Sequence, residues 1–516
     1  MARANGSELL LAVDIGSSSS KGLLARADGR IVATTVRAHE VSFPRPGWAE
    51  HDALSVWWRD FVGIAQELSA AASTMGHIAG VGVSGIGPCL LPVDDSGAPL
   101  RPAILYGIDT RATREIDELT DRFGAEAILA RGGSLLTSQA VGPKFAWLRR
   151  NEPDVWARTK RFHMANSFVI ERLTGEYVLD HHSASQCDPL YDMGAATWAA
   201  EWAGEVAPGI EFPRLAWSDE VVGTVSPEGS AASGIPVGTP VVAGTVDAWA
   251  EAVSVGVRQP GDTMLMYGTT MFMVQVAADP RPRPALWNTM GVSPDARTFA
   301  AGLSPSGGLT TWFRELVGSP PFEELLEEAA ATPPGAGGLV ALPYFGVARS
   351  PIFDPQARGM IVGLSLTHGR GHLFRALLEG TAFEVRHNLE VMEEAGAEAR
   401  RLVAVGGGTK SRLWAQVVSD VTGYTQVIPA ETIGASYGDA LLAARGVGLV
   451  ARDTDWSQPA AVLEADPTSR PRYDALYGVY RRLYHSTLSE VHELSQVQES
   501  DAREPAQPTF EGAVAS

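Results

Sequence analysis

A strand that runs into a small, hydroxyl-bearing turn occurs in each half of this chain. The first is Leu10-Leu11-Ala12-Val13-Asp14-Ile15-Gly16-Ser17-Ser18-Ser19-Ser20-Lys21-Gly22. Its apolar run is short and branched, the pattern of a buried strand. The turn beyond Asp14 carries little side-chain bulk, so its backbone N–H groups can approach an anion closely. Asp14 stands where a carboxylate can hold a divalent cation through oxygen contacts. A surface hairpin with solvated serines would show the same letters. The second unit begins at Pro240-Val241-Val242-Ala243-Gly244-Thr245-Val246-Asp247 and continues into a helix over 248–255. Next comes a strand from Thr263 that enters Tyr267-Gly268-Thr269-Thr270. This duplication predicts two α/β domains that clamp a phosphorylated ligand between them.

The length agrees, since 516 residues exceed one compact core. The formal net charge of −19 argues against nucleic acid or an anionic membrane as the main partner. A small phosphate ligand, held locally by backbone amides, is compatible with it. Two cysteines, Cys89 and Cys187, rule out a disulfide framework and fit a reducing compartment. Cys89 reads as a small buried hydrophobe. The first 16 residues lack the layout of a signal peptide, because Glu8 and Asp14 bracket the apolar stretch. No run is long and apolar enough to span a membrane. A cytoplasmic location is expected.

Short strand-like runs over 9–13, 31–36, 78–83 and 90–93 are punctuated by turns such as Ala27-Asp28-Gly29-Arg30. Helical patterns cover 53–72, 143–151 and 373–393. Residues 402–405 read as a strand that enters Gly406-Gly407-Gly408-Thr409-Lys410-Ser411. Residues 195–238 are loop-rich and read as a crossing between domains. The segment 496–516 is polar and contains Pro, and reads as a disordered tail.

Two motifs mislead. Gly80-Val81-Gly82-Val83-Ser84-Gly85 matches the dinucleotide fingerprint G-x-G-x-x-G, which must open a helix. Gly87 and Pro88 follow at once, and a helix does not start there. Gly406–Ser411 lacks the first glycine of a P-loop and has Thr409 between the last glycine and Lys410.

Several blocks then fall into one order: Asp14-Ile15-Gly16-Ser17-Ser18; Gly47-Trp48-Ala49-Glu50-His51-Asp52; Val83-Ser84-Gly85; Arg101 to Tyr106 leading to Asp109-Thr110-Arg111; Gly244-Thr245-Val246-Asp247-Ala248; Tyr267-Gly268-Thr269-Thr270; and Gly406–Ser411. The chain resembles the FGGY carbohydrate kinases, most closely their xylulokinase-like branch. One family signature is nearly complete at Gly359-Met360-Ile361-Val362-Gly363-Leu364 with His372-Leu373, Ala376 and Leu378-Glu379. A second is partial, with Lys144-Phe145-Ala146-Trp147-Leu148 fitting its later half.

The resemblance implies an α/β fold of two actin-like (ribonuclease H-like) domains with a deep cleft. Residues 1–245 would bind the sugar and 246–495 ATP. It implies Asp247 as the general base that accepts the sugar hydroxyl proton, although an Asp capping the following helix reads the same. Asp14, with Asp247, is implied on the Mg²⁺ side. Gly16, Ser17, Ser18, Ser19 and Lys21, with Gly268, Thr269 and Thr270, would face the phosphates. Gly407, Gly408, Lys410 and Ser411 resemble the adenosine turn, for which a tight strand-to-helix turn is the plainer account. Gly434-Ala435 and Asp439 fall near the same pocket in the family, and helix packing explains them equally well. Dimers are common in families of this kind, so a homodimer is an open expectation.

The sugar side departs from the family. Xylulokinases usually follow Ser-Gly with Gln-Met-His-Gly, and here Ile86-Gly87-Pro88-Cys89 stands instead. The block Tyr106-Gly107-Ile108-Asp109-Thr110-Arg111 replaces Trp-Asn-Asp-x-Arg and is one residue longer. Asp109, Arg111, Gly87, Pro88, Trp48 and Glu50 are the candidates for sugar contact or for supporting that loop. For Trp48, a core aromatic under the loop is an equal reading. The expected reaction is ATP-dependent phosphorylation of a ketopentose, D-xylulose or a related pentulose. Kinases of another ketose or a polyol, and a nucleotide-switched actin-like interaction protein, are the alternatives.

Overall fold

The strand Glu8–Ile15 is buried on both faces, and its alternation sends side chains into two different cores. Leu9, Leu11 and Val13 join one core with Trp57, Phe61 and Ile64. Leu10 and Ala12 join another with Val253, Tyr437, Ala440 and Leu441, which come from far along the chain. Asp14 lies on the Leu10–Ala12 face, at the end where the apolar row stops. The computed structural model describes residues 7–431 and 433–503.

Two seven-stranded sheets share one topology. In the first, Glu8–Ile15 pairs antiparallel with Ser19–Arg26, which pairs antiparallel with Ile31–Ala38. On its other side lies His77–Gly85, parallel, then Pro240–Val242, parallel, then Val221–Thr224, antiparallel. The second sheet repeats this order with Asp262–Tyr267, Thr270–Ala277 and Arg297–Pro305, then Arg401–Val405, Gln426–Pro429 and Pro459–Leu463. The hydroxyl-bearing turns at 16–18 and 268–269 therefore join the first two strands of their respective sheets. The fold is the two-domain α/β arrangement anticipated from the duplicated motif.

The helix Ala435–Gly446 ties the halves together. It packs on strands Glu8–Ile15 and His77–Gly85 of the first sheet and on helix Asp247–Ser254. The approach is close. A Cβ on Gly82 would lie 2.3 Å from the carbonyl oxygen of Asp439, and one on Gly438 would lie 1.8 Å from that of Ala250. Gly82 is thus required by packing, which explains the glycine pattern that imitates a dinucleotide site.

Two segments differ from the sequence expectation. Residues 195–238 are not a crossing between domains. They hold helices Ala200–Val206 and Pro227–Ser233, and their strand Val221–Thr224 forms the edge of the first sheet. The Pro and Gly turns that suggested a linker punctuate these short elements. A helix Leu488–Arg503 runs into the segment read as a disordered tail, and residues 504–516 lie outside the described residues.

Candidate active site

Sheet register assembles the centre of the site. Asp14 is opposite Lys21 on one side and Ser84 on the other, and Ser84 is opposite Thr245. The four residues form one row across four strands, so their side chains share a face. The hydroxyl of Thr245 donates to Asp180 at 3.0 Å, which fixes the short strand Thr245–Val246. Asp247 follows directly and opens helix Asp247–Ser254. Its carboxylate accepts from the Ala248 N–H at 2.7 Å, where the positive end of the helix favours negative charge. This contact uses one carboxylate oxygen and leaves the other for a further partner.

Four carboxyl groups gather here. Burial pushes Asp14 up to about 6, and Lys21, the Ser84 hydroxyl and His39 pull it back. Burial, then the neighbouring Asp14, raises Asp247 well above the ordinary Asp range. Glu251, one helical turn on, is pushed to about 7 by burial and by Asp14. Asp439 is raised well above its usual value, chiefly by burial. The Ser84 hydroxyl lies 3.2 Å from Asp14 and 2.5 Å from Asp439. The single Ser84 hydroxyl proton thus bridges the two carboxyl groups, serving one of them at a time.

The turn Gly16–Ser19 is braced from below. The Gly16 N–H donates to the Ser19 carbonyl at 3.1 Å. The buried His39 ring reaches the Gly16 carbonyl at 3.0 Å and Asp60 at 2.8 Å. Ser20 and Arg59 also donate to Asp60. The second turn is tied to a helix start: Ser306, Gly307 and Gly308 donate N–H groups to the carbonyls of Gly268 and Thr269. Ser18 and Thr269 are exposed, as an anion-facing surface requires.

The adenosine-turn candidates divide into two kinds. A Cβ on Gly408 would lie 2.8 Å from Tyr267, and Ser411 caps helix Arg412–Thr422 by accepting from the Trp414 N–H. These two have structural work to do. Gly407 has open space above it and Lys410 is exposed. Asp439, on the helix Ala435–Gly446, reaches the Asp14 row through its bond to Ser84.

On the acceptor side, Asp109 and Arg111 are sealed against each other. Both side chains are fully buried and joined by bonds of 2.7 to 3.0 Å. Asp109 also accepts from the Ala49 N–H, and Arg111 reaches Glu50 at 2.8 Å. The Arg111 guanidinium lies 4.0 Å over Trp48 and 5.0 Å from Trp147. Arg101 closes the network on Glu50. Asp109, Arg111, Trp48 and Glu50 thus form one connected network of ion pairs and cation–π contacts. Lys144, whose amine is buried and lowered to about 8 by that burial, donates to the carbonyls of Ser138 and Ala140. Ser138 and Gln139 in turn hold Gly107. Gly87 presses on Val246, the residue before Asp247, and Pro88 is buried. Cys89 is buried as well, and with Tyr106 lies within electrostatic reach of Asp247. Among the acceptor-side candidates, Gly87 is the one packed against the residue that precedes Asp247.

Sequence reasoning left Ser84, Tyr106, Glu251 and His39 out of the site. Glu251 has a signal, its spacing of four from Asp247 on one helix. Ser84 has one only once register is known.

Comparison with known proteins decides the family. Residues 9–254 match the N-terminal domain, and residues 263–447 the C-terminal domain, of the FGGY family of carbohydrate kinases. The chain belongs to this family. As a carbohydrate kinase it uses ATP as a substrate. It is 28% identical to a xylulose kinase of Lactococcus lactis subsp. lactis over 94% of this chain and 98% of that one. It is 30% identical to a glycerol kinase of Alkalilimnicola ehrlichii over 86% and 91%. The crystal structure of xylulose kinase from Rhodospirillum rubrum superposes with a TM-score of 0.88 at 32% identity, covering 94% of this kinase and all of that chain. Among the described residues, no helix of the kinase is long and apolar enough to cross a membrane.

Proposed function

We propose that this kinase transfers the γ-phosphate of ATP to a hydroxyl of a ketopentose, D-xylulose or a related pentulose, with Asp247 as general base. The reading is carried by the place of Asp247: half-buried, at a helix start, and close enough to Asp14 for the two carboxyls to repel each other. Residues 1–245 hold the sugar and 246–495 the nucleotide on this reading. Phosphoryl transfer asks for positioning and charge neutralisation more than covalent chemistry. Asp247 takes the hydroxyl proton as the oxygen attacks, which needs only hydrogen-bond reach. Lys21, beside both carboxyls, lowers the cost of ionising them. Amides and hydroxyls of 16–19 and 268–270 approach the phosphates from the two domains.

The donor set suits Mg²⁺. Asp14 and Asp247 lie in mutual electrostatic contact, and no cluster of three or more metal-ligating side chains occurs among the described residues. Mg²⁺ keeps waters and phosphate oxygens and takes only one or two carboxylates. Bound there, it supplies charge neutralisation for the phosphates. Cleft closure on the acceptor excludes water and limits ATP hydrolysis.

A polyol acceptor is the second reading. Two observations favour it: Pro88 and Cys89 are buried, with Cys89 within electrostatic reach of Asp247, and glycerol kinases are among the 30% identical relatives. Buried polar groups set acceptor discrimination, so replacing a His by this pair alters the choice. ADP release with Mg-ATP across pentuloses, hexuloses and polyols tests both. A strong pentulose response supports the first reading, and a response confined to glycerol or another polyol replaces it with the second.

A further inference from the structure

Arg349 stands on the loop after strand Val340–Leu342 in the C-terminal half, half-buried in a slot made by a missing side chain. A Cβ on Gly302 would lie 2.6 Å from the guanidinium carbon of Arg349. Gly302 lies in the strand Arg297–Pro305 and its φ is not left-handed, so glycine is there for room and not for backbone freedom. Phe272 is its register partner on the next strand, and the Trp287 ring lies 5.9 Å from the guanidinium.

The guanidinium has no hydrogen bond or ion pair among the described residues. Other buried arginines differ. Arg111 is paired with Asp109 and Glu50, and Arg375 with Glu379, Tyr473 and two carbonyls. A guanidinium carries five N–H donors in a fixed fork, and those of the half-buried Arg349 meet no described protein group, which leaves them open to a ligand. The groups within its electrostatic reach are Glu384, behind it, and Tyr106, which belongs to the other domain. Glu384 is itself occupied at one oxygen by the N–H and hydroxyl of Ser304. Tyr106 lies 3.4 Å from Ser17 through its hydroxyl, and within electrostatic reach of Asp247. Tyr106 is thus within electrostatic reach of both Arg349 and Asp247, one from each side.

We propose that Arg349 is the contact of the C-terminal domain to the acceptor, donating to hydroxyl or carbonyl oxygens remote from the one phosphorylated. This rests on the kinase reading of Asp247. It makes Arg349 a specificity-determining residue and couples acceptor binding to closure, since the ligand bridges Tyr106 and Arg349.

The test compares wild type, Arg349→Gln and Gly302→Ala. Steady-state ADP release is measured with the best acceptor of the panel, and acceptor protection against thermal unfolding is measured without ATP. Arg349→Gln should raise the acceptor KM by about tenfold or more, leave the KM for ATP within about twofold, and lose protection to the same degree. Gly302→Ala, whose Cβ displaces the guanidinium, should shift the acceptor KM in the same direction by less. Equal acceptor KM and equal protection in wild type and Arg349→Gln overturn the proposal. A wild type protected by a sugar that it does not phosphorylate sinks the kinase reading of that sugar, and the protection assay still decides the role of Arg349.

Discussion

The hydroxyl of Ser84 and the carboxyl of Asp439 lie 2.5 Å apart, joining residues 355 positions distant in the chain. The bond fastens the helix Ala435–Gly446 to the first sheet through a hydroxyl that also reaches Asp14. Ser84→Ala leaves Asp439 buried without its hydroxyl partner. A loss of about 1–3 kcal/mol in denaturant unfolding is expected, with lower kcat because Asp14 loses a fixed donor. Unchanged stability together with unchanged kcat contradicts this role.

Gly82 makes that bond geometrically available. Gly82→Ala forces a methyl against the Asp439 carbonyl, a backbone atom that cannot swing aside. Overpacking of this kind costs about 1–3 kcal/mol. Gly204→Ala is the control, since nothing lies within 4 Å of its Cβ and its helix gains propensity. Thermal unfolding should place the two variants on opposite sides of wild type.

Much of this was legible beforehand, for physical reasons. The apolar run 9–13 and the small turn after Asp14 are local patterns, and they recur at 263–270. Asp247 was legible through its block and its place before a helix. What was hidden depends on long-range packing. Nothing near Gly82 in sequence announces that a helix from 435 will rest on it. Asp109 and Arg111 read equally well as sugar contacts or as loop supports, and nothing near them in sequence announces their mutual burial. Arg349 has no local signature at all, because its slot is defined by Gly302 on another strand.

Burial holds the Glu384 carboxyl at about 7, above its ordinary 4.5. The folded protein then keeps a proton that the unfolded chain has released between those values. Stability from this group is full below about pH 4.5 and is lost as pH rises through about 7. The slope approaches ~1.4 kcal/mol per pH unit inside that window. Glu384→Gln should flatten the fall in urea midpoint across it. Parallel profiles for wild type and variant contradict the assignment.

His39 bonds the Gly16 carbonyl and Asp60 beneath the first hydroxyl-bearing turn. His39→Ala should raise the KM for ATP by about tenfold through a loosened phosphate turn. The acceptor KM should stay within about twofold. An acceptor KM that moves with the ATP KM contradicts a role confined to that turn.

Acceptor-dependent ADP release by Asp247→Asn is the decisive measurement for Asp247 as the general base. Asn keeps the size and the Ala248 contact but takes no proton. The expected result is a fall of about 10²–10⁴ in kcat with the best acceptor, an unshifted unfolding midpoint and retained ATP binding. A variant that turns over within a few fold of wild type contradicts Asp247 as the general base.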